Sequence, residues 1–439
     1  MTRGVDPEVA RSTQGCTHTD EEGTPMTQQL FARRPQTTAD LGRLIRGQVH
    51  RPGDDAYDTL RASLNPAFDA HPAVVAEVTS AADVQSAVVW ARDNDLPFAV
   101  QATGHGTYVP SDGGLLVKTT QLGGVLVDPD RRIARVGAGA VWGDVVAAAA
   151  PFGLAPVSGS SPTVGVAGFS MGGGHGQLSR AYGLGADNVL RVDLVTADGE
   201  LITATPDRHA ELFWAVRGGG GNFGVVTSLE IRLHPVEEVY AGQALFPIER
   251  AADLLARYRD YAPAMPRELT CSVAMVGEHV AIRATYAGDA SSGQRALRPL
   301  WSVAGTPVEN TFAGVAVAQA GVPTTAPRTF ELFTEVSDSV IETALAVEAG
   351  SIEFRYWGGA IADGTSPAGH RDVPFNIIVD GPAEQLWPYA TGGSFLNALH
   401  DPDAVETAYT AADYQRLREI KAVWDPANVF HRNLNIKPA

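Results

Sequence analysis

Three glycine-dense loops within about 120 residues constrain this chain more than any other feature. The first, Ala102-Thr103-Gly104-His105-Gly106-Thr107, directly follows an apolar strand-like run. The second extends from Ser158-Gly159-Ser160-Ser161-Pro162-Thr163-Val164-Gly165 to Gly172-Gly173-Gly174-His175-Gly176. The third is Arg217-Gly218-Gly219-Gly220-Gly221-Asn222-Phe223-Gly224. Glycine lets backbone approach a ligand closely, and consecutive backbone N–H groups form anion-binding nests. The chain has only three lysines, Lys118, Lys421 and Lys437, so backbone amides are the natural binders of a phosphate. Any one cluster could be a plain turn, but three together favour one extended diphosphate ligand. Neither glycine-rich segment follows G-x-G-x-x-G between strand and helix with an acid about 20 residues on, and G-x-x-x-x-G-K-[ST] is absent. Rossmann and P-loop readings therefore fail.

Around the first loop, β-branched runs alternate with amphipathic segments. Strands are predicted at Val74–Val78, Pro97–Val100, Gly114–Lys118, Val125–Asp128 and Ile133–Val136. Helices are predicted at 37–50, Ala81–Asp93 and Trp142–Ala150, from apolar spacings of three and four. After His234-Pro235 the character changes. Longer strands (Thr270–Val276, Val280–Tyr286, Ser351–Tyr356, Phe375–Val379) alternate with helices at Glu249–Tyr261 and Gly293–Val303, as in a second domain built on an antiparallel sheet. Asp413–Trp424 reads as an amphipathic helix stopped by Asp425-Pro426.

The balance of 33 basic against 50 acidic residues gives a net charge of −17, which repels phosphate backbones and excludes a general nucleic-acid binder. Two cysteines, Cys16 and Cys271, make neither a disulfide framework nor a Cys-rich metal site. No apolar run reaches the ~18 residues of a transmembrane helix. The polar first 25 residues lack the apolar core of a secretory signal. A soluble, cytoplasmic protein without membrane partners is expected, with a disordered leader over residues 1–35 and Met26 as an alternative start.

The run SSPTVGVAGFSMGGGHGQLSRAYGLGADNVL, then DRHAELFWAVRGGGGNFGVVTSLEIRLHPV, resembles FAD-linked oxidases of the vanillyl-alcohol oxidase superfamily, in the berberine bridge enzyme-like group. The tail DYQRLREIKAVWDPANVFHRNLNI is similar to that group's closing signature. The resemblance implies an α+β fold: a two-subdomain FAD-binding domain of the PCMH type plus an α/β substrate domain with a large antiparallel sheet covered by helices. It divides the chain into the leader, an FAD-binding domain over 36–236 (core from about 70), a substrate-binding domain over 237–400, and a segment, 401–439, that returns to the FAD domain.

The same resemblance implies the cofactor set Thr103, Gly104, His105, Gly106, Thr107, Ser161, Thr163, Val164, Gly165, Gly168, Gly173, Gly176, Val226, Asn433 and Asn435. His105 occupies the place of the histidine that bonds covalently to the flavin ring. Ser161 stands where many members have a second, cysteine tether, so attachment through His105 alone is implied. Val164 holds the position that gates oxygen, where valine accompanies oxidases and leucine dehydrogenases. Asn433 and Asn435 suit the flavin's pyrimidine edge, because an amide both donates and accepts. No metal is implied.

For catalysis the family pattern breaks. Tyrosines often found after the triple glycine and in a Tyr-x-Asn motif are replaced by His175 and by the Phe395 of Phe395-Leu396-Asn397. His175 is either the base, with an ordinary pKa near 6.5, or a structural residue of the glycine turn. Further catalytic candidates are Glu353, Tyr356 and His370. Strand alternation puts Glu353 and Arg355 on one face of Ser351–Tyr356 and Tyr356 on the other. The function implied is an oxidase that passes electrons from a small organic substrate, a specialised metabolite or sugar-like alcohol, to O2. A flavin dehydrogenase, or a flavoprotein that shapes a cyclising intermediate without net redox, stays open.

Overall fold

The computed structural model describes residues 38–320 and 328–439; the leader, with Cys16 and Met26, lies outside the described residues. Strands β1 (Val49–His50), β2 (Val74–Glu77), β3 (Phe98–Gln101) and β4 (Leu115–Lys118) form a sheet in the order β1-β2-β4-β3. β2 and β3 run parallel to β4, and the continuous apolar runs of β2 and β4 match a sheet buried on both faces. The helix Ala81–Asp93 starts at Ser80, whose hydroxyl accepts from the Asp83 N–H. Its Val84, Ala87, Val88 and Ala91, three and four apart, are wholly buried in the core beneath this sheet.

The helix predicted over 37–50 is shorter than its pattern, ending at Leu44, and its first position, 37, lies outside the described residues. Val49 and His50 instead add an antiparallel edge to β2. Gly47 explains the change: a Cβ there would lie 1.7 Å from the Glu77 carbonyl oxygen, so the chain passes too close to β2 for any side chain.

A second, antiparallel sheet contains β5 (Val125–Asp128), β6 (Ile133–Gly137), β7 (Val189–Val195), β8 (Leu201–Ala204) and β9 (Val225–Arg232), in the order β5-β6-β9-β7-β8. The second glycine loop enters it before β7 and the third before β9.

The largest sheet has eight strands: β10 (Glu238–Pro247), β11 (Leu269–Val276), β12 (His279–Ala287), β13 (Glu309–Asn310), β14 (Ala313–Ala316), β15 (Thr329–Phe333), β16 (Ser351–Tyr356) and β17 (Phe375–Asp380). Its order is β13-β10-β12-β11-β16-β17-β15, with β14 also on β10. The helices Ala251–Tyr261, Ala290–Ala304 and Asp338–Ala346 share a core with Val273, Ile282, Ile352, Phe354 and Ile377 on one face. The other face carries a polar row in direct register: Gln243, Arg283, Ser272, Arg355 and Asn376, from β10, β12, β11, β16 and β17. The final helix, Ala411–Trp424, sends Leu417 and Ile420 back into the core of the five-stranded sheet.

Candidate active site

One cavity of about 560 Å³ brings all three glycine loops to a common space, together with the C-terminal segment and the polar face of the eight-stranded sheet. Thr103, Gly104, His105, Gly106 and Thr107 form one wall. A buried relay holds this loop: Lys118 Nζ donates to Gln101 Oε1 at 2.5 Å, and Gln101 Nε2 donates to Thr107 Oγ1 at 3.1 Å. Burial lowers the Lys118 pKa to about 8. His105 Nε2 is hydrogen-bonded to Thr163 Oγ1 at 2.9 Å, leaving Nδ1 without a partner among the described residues. Burial lowers the His105 pKa, which favours the neutral, nucleophilic ring.

Ser161, Val164, Gly165 and Gly168 form a second wall. Thr163, expected at the cofactor, is exposed and does not line the cavity, and it binds both His105 and Ser161. Gly173 and Gly176, expected at the cofactor, do not line the cavity. A Cβ on Gly173 would sit 2.7 Å from the Phe395 ring, and one on Gly176 would sit 2.2 Å from the Ser158 carbonyl oxygen. These glycines permit close packing behind the wall.

The third loop contributes Gly220, Gly221 and Gly224, followed by Val226. Asn222 clips the C-terminal segment to it, donating to Leu434 O at 3.0 Å and accepting from Ile436 N at 2.9 Å. Lys421, wholly buried, donates to Asn222 O, Asp425 Oδ2 and Phe430 O at 2.7, 2.8 and 3.1 Å. Asn433 thereby reaches the cavity, while Asn435 lies off its wall. The Oδ1 atoms of both, and Arg432 Nε, are buried without partners among the described residues.

These features fit FAD. A Cβ on Gly106 or Gly168 would meet nothing within 4 Å, so the loops leave open space along their length. Backbone amides suit a diphosphate, and unpartnered amide and guanidinium groups suit a ring edge that both donates and accepts.

Of the four catalytic candidates, only His175 lines the cavity. Its ring lies parallel to Trp357, with centroids 5.8 Å apart, and neither nitrogen is hydrogen-bonded among the described residues. Burial, and then the Arg355 charge, push its pKa down to about 3, far from the ordinary value expected from sequence. Glu353 is buried behind the wall; despite desolvation, Arg355, Arg328 and Arg283 hold its carboxyl down at about 2. Its oxygens are taken up by Arg355 and Arg328, and it does not line the cavity. Tyr356 is turned to the helix-covered face, edge-on to Phe375 with ring centroids 5.0 Å apart. His370 is away from the cavity, its Nε2 donating to Thr407 O at 2.8 Å. Phe395 is buried off the cavity in a small core, edge-on to Trp357.

Sequence reasoning missed several neighbours: Arg328 and Tyr108 line the cavity, and Asn397 accepts from Gly174 N at 2.7 Å. Arg180 is buried with no carboxylate within ion-pair distance among the described residues; it donates to the carbonyls of Leu269, Met265 and Trp357. The free Cys271 is packed in the helix-side core, where burial pushes its thiol up to about 12. No helix among the described residues is long and apolar enough to cross a membrane.

Residues 72–205 match the family model for an FAD binding domain, and residues 387–437 match that for berberine and berberine-like proteins. An FAD-linked oxidoreductase of Dictyostelium discoideum is 28% identical over 436 residues, spanning 90% of this chain and 95% of the relative. The (R)-6-hydroxynicotine oxidase of Paenarthrobacter nicotinovorans is 41% identical over 192 residues, 43% of this chain and 42% of the relative. Among solved structures, 6-hydroxy-D-nicotine oxidase from Arthrobacter nicotinovorans superposes with a TM-score of 0.80 at 28% identity, covering 90% of this chain and 98% of that one. Berberine bridge enzyme-like 1 of Physcomitrella patens shares the fold with a TM-score of 0.83 at 23% identity, covering 90% and 97%. The chain thus carries an FAD binding domain and a berberine-like domain, and along nine-tenths of its length it is similar to FAD-linked oxidoreductases.

Proposed function

We propose that this protein is an oxidase for a small organic substrate, a specialised metabolite or sugar-like alcohol, with O2 as electron acceptor and H2O2 as product. The carrying observation is that one cavity joins the three glycine loops to the polar face of the large sheet. Bound FAD supplies the two-electron acceptor at its ring N5. On this reading residues 36–236 with 401–439 hold the cofactor, and 237–400 shape the substrate pocket. Thr103–Thr107 and Gly165 present backbone amides to the diphosphate, and Asn433 addresses the ring edge. His175 accepts the substrate proton, being the one sequence candidate on the wall with unbonded ring nitrogens. The test is oxygen consumption with stoichiometric H2O2 when the flavin-loaded protein meets a panel of sugars, alcohols and aromatic metabolites. Turnover with an artificial dye but none with air would make it a dehydrogenase.

His105 is assigned the covalent bond to the flavin, with Ser161 unable to supply a second. After acid denaturation and electrophoresis, fluorescence is expected to stay with the polypeptide, and His105→Ala is expected to release it. Flavin found wholly in the supernatant of the wild-type protein would remove the covalent assignment.

Val164 is assigned the oxygen gate. A leucine there adds one methylene to a wall of the cavity. Val164→Leu is expected to slow air-dependent turnover far more than dye-coupled turnover. Equal slowing would mean that Val164 only packs.

A further inference from the structure

The wall opposite the glycine loops carries more positive charge than the protein itself neutralises. Arg355 donates twice to Glu353, Nε to Oε1 at 3.0 Å and Nη2 to Oε2 at 3.1 Å. Arg328 Nη1 donates to Oε2 at 3.2 Å, and Arg283 Nη1 lies 3.7 Å from the same oxygen. Among the described residues no second carboxylate comes within ion-pair distance of any of the three. Three guanidiniums against one carboxylate leave two formal positive charges, in a chain whose net charge is −17.

The geometry points this surplus at the ligand space. Arg328 and Arg355 line the cavity, and Glu353 sits buried behind them. Their side chains are only 22% and 27% exposed, so water compensates them poorly. Arg355 keeps Nη1, and Arg328 keeps Nε and Nη2, without hydrogen-bond acceptors among the described residues. Leaving such groups uncompensated is costly, and an anion that enters removes the cost.

We propose that the substrate is a carboxylate: a small organic acid whose carboxyl group is held by Arg355 and Arg328, with its oxidisable carbon directed toward His175 and the glycine loops. Guanidinium N–H groups match a carboxylate in both charge and planar geometry. This rests on the flavoenzyme reading above and narrows its substrate class. The FAD diphosphate is the other anion in the cavity, but the backbone-amide loops lie in the other part of the chain. Arg355 shares strand β16 with Glu353 and acts electrostatically on His175, and Arg328 directly precedes β15.

The test titrates the flavin-loaded protein with benzoate and with its neutral counterpart benzamide, following the flavin's visible spectrum. Benzoate is expected to bind roughly 10–100-fold more tightly, the range of a charge-assisted hydrogen bond. Arg328→Gln is expected to remove roughly tenfold of that preference. Glu353→Gln is expected to strengthen benzoate binding, because the competing carboxylate is gone; a merely structural Glu353 would give weaker binding instead. Benzoate binding no tighter than benzamide overturns the proposal, and this arm needs no variant to fold. Loss of FAD in step with benzoate affinity in Arg328→Gln assigns the arginines to the cofactor phosphates and also overturns it. A preparation without a flavin band sinks the flavoenzyme reading separately. Quenching of protein fluorescence, with Trp357 beside His175, still reports whether benzoate is preferred.

Discussion

Asp425→Ala is expected to lose about 3–5 kcal/mol of stability, the cost of leaving a buried charge unpaired, and to lose bound FAD with it. Lys421 and Asp425 are wholly buried and 2.8 Å apart, four residues apart across the end of the last helix. Asp425 also accepts from Val429 N at 2.7 Å and Phe430 N at 2.9 Å, so it shapes the turn that follows. Lys421 ties that turn to the third glycine loop through Asn222 O. Burial lowers the Lys421 pKa even with Asp425 present, and removing the carboxylate deepens that strain. The segment carrying Arg432 and Asn433 then keeps its bonds to Asn222 and Gly221 but loses the turn that presents it to them. Urea unfolding with absorbance of the retained flavin reads both effects. The double variant Lys421→Met/Asp425→Leu is expected to fall between, since it removes both charges but still leaves backbone groups unmet. A loss below about 1 kcal/mol in Asp425→Ala, in the range of ordinary surface changes, would show that the pair does not anchor the segment.

Much of this was legible in the sequence where one periodicity ran unbroken. The helix Ala81–Asp93 and the strand Ser351–Tyr356 have the ends their patterns predict. The alternation that separates Glu353 and Arg355 from Tyr356 is the alternation observed. What could not be read was which strands lie side by side. Arg283, Arg328 and Arg355 meet around Glu353 only because β12, β11, β16, β17 and β15 pair in that order. No local pattern records pairing across the 72 positions from Arg283 to Arg355. The same limit placed Gly173 and Gly176 at the cofactor. A glycine conserving space for a neighbouring ring looks, in sequence, like one conserving space for a ligand. It also gave His175 an ordinary titration, since burial and the Arg355 charge are properties of the assembled wall.

His175→Phe is expected to slow substrate oxidation by roughly the 10²–10⁴-fold typical of a lost general base, with FAD content unchanged. The pH dependence separates this role from packing against Trp357. The neutral ring is the base, so activity is lost as pH falls through its pKa. In the free enzyme that pKa is pushed to about 3, so kcat/KM is expected to stay flat through the ordinary value of 6.5. A carboxylate bound at Arg355 opposes the second cause of the shift but leaves the first, burial, in place. The acid limb of kcat, which reports the substrate complex, is therefore expected at higher pH than that of kcat/KM. An uncharged substrate is expected to show no such separation. Stability carries the same signature with its own sign. Because the folded pKa lies below the unfolded one, the unfolded chain takes up the proton first as pH falls. Stability then declines from about pH 6.5 toward the folded pKa, by at most about 1.4 kcal/mol per pH unit. The His175 contribution to that slope is expected to vanish in His175→Phe, leaving the one from His234, which burial lowers to about 4. A variant that keeps wild-type turnover and loses only its share of the stability slope would make His175 a packed ring, and the base would have to be sought at Tyr108, a titratable side chain on the cavity wall beside the first glycine loop.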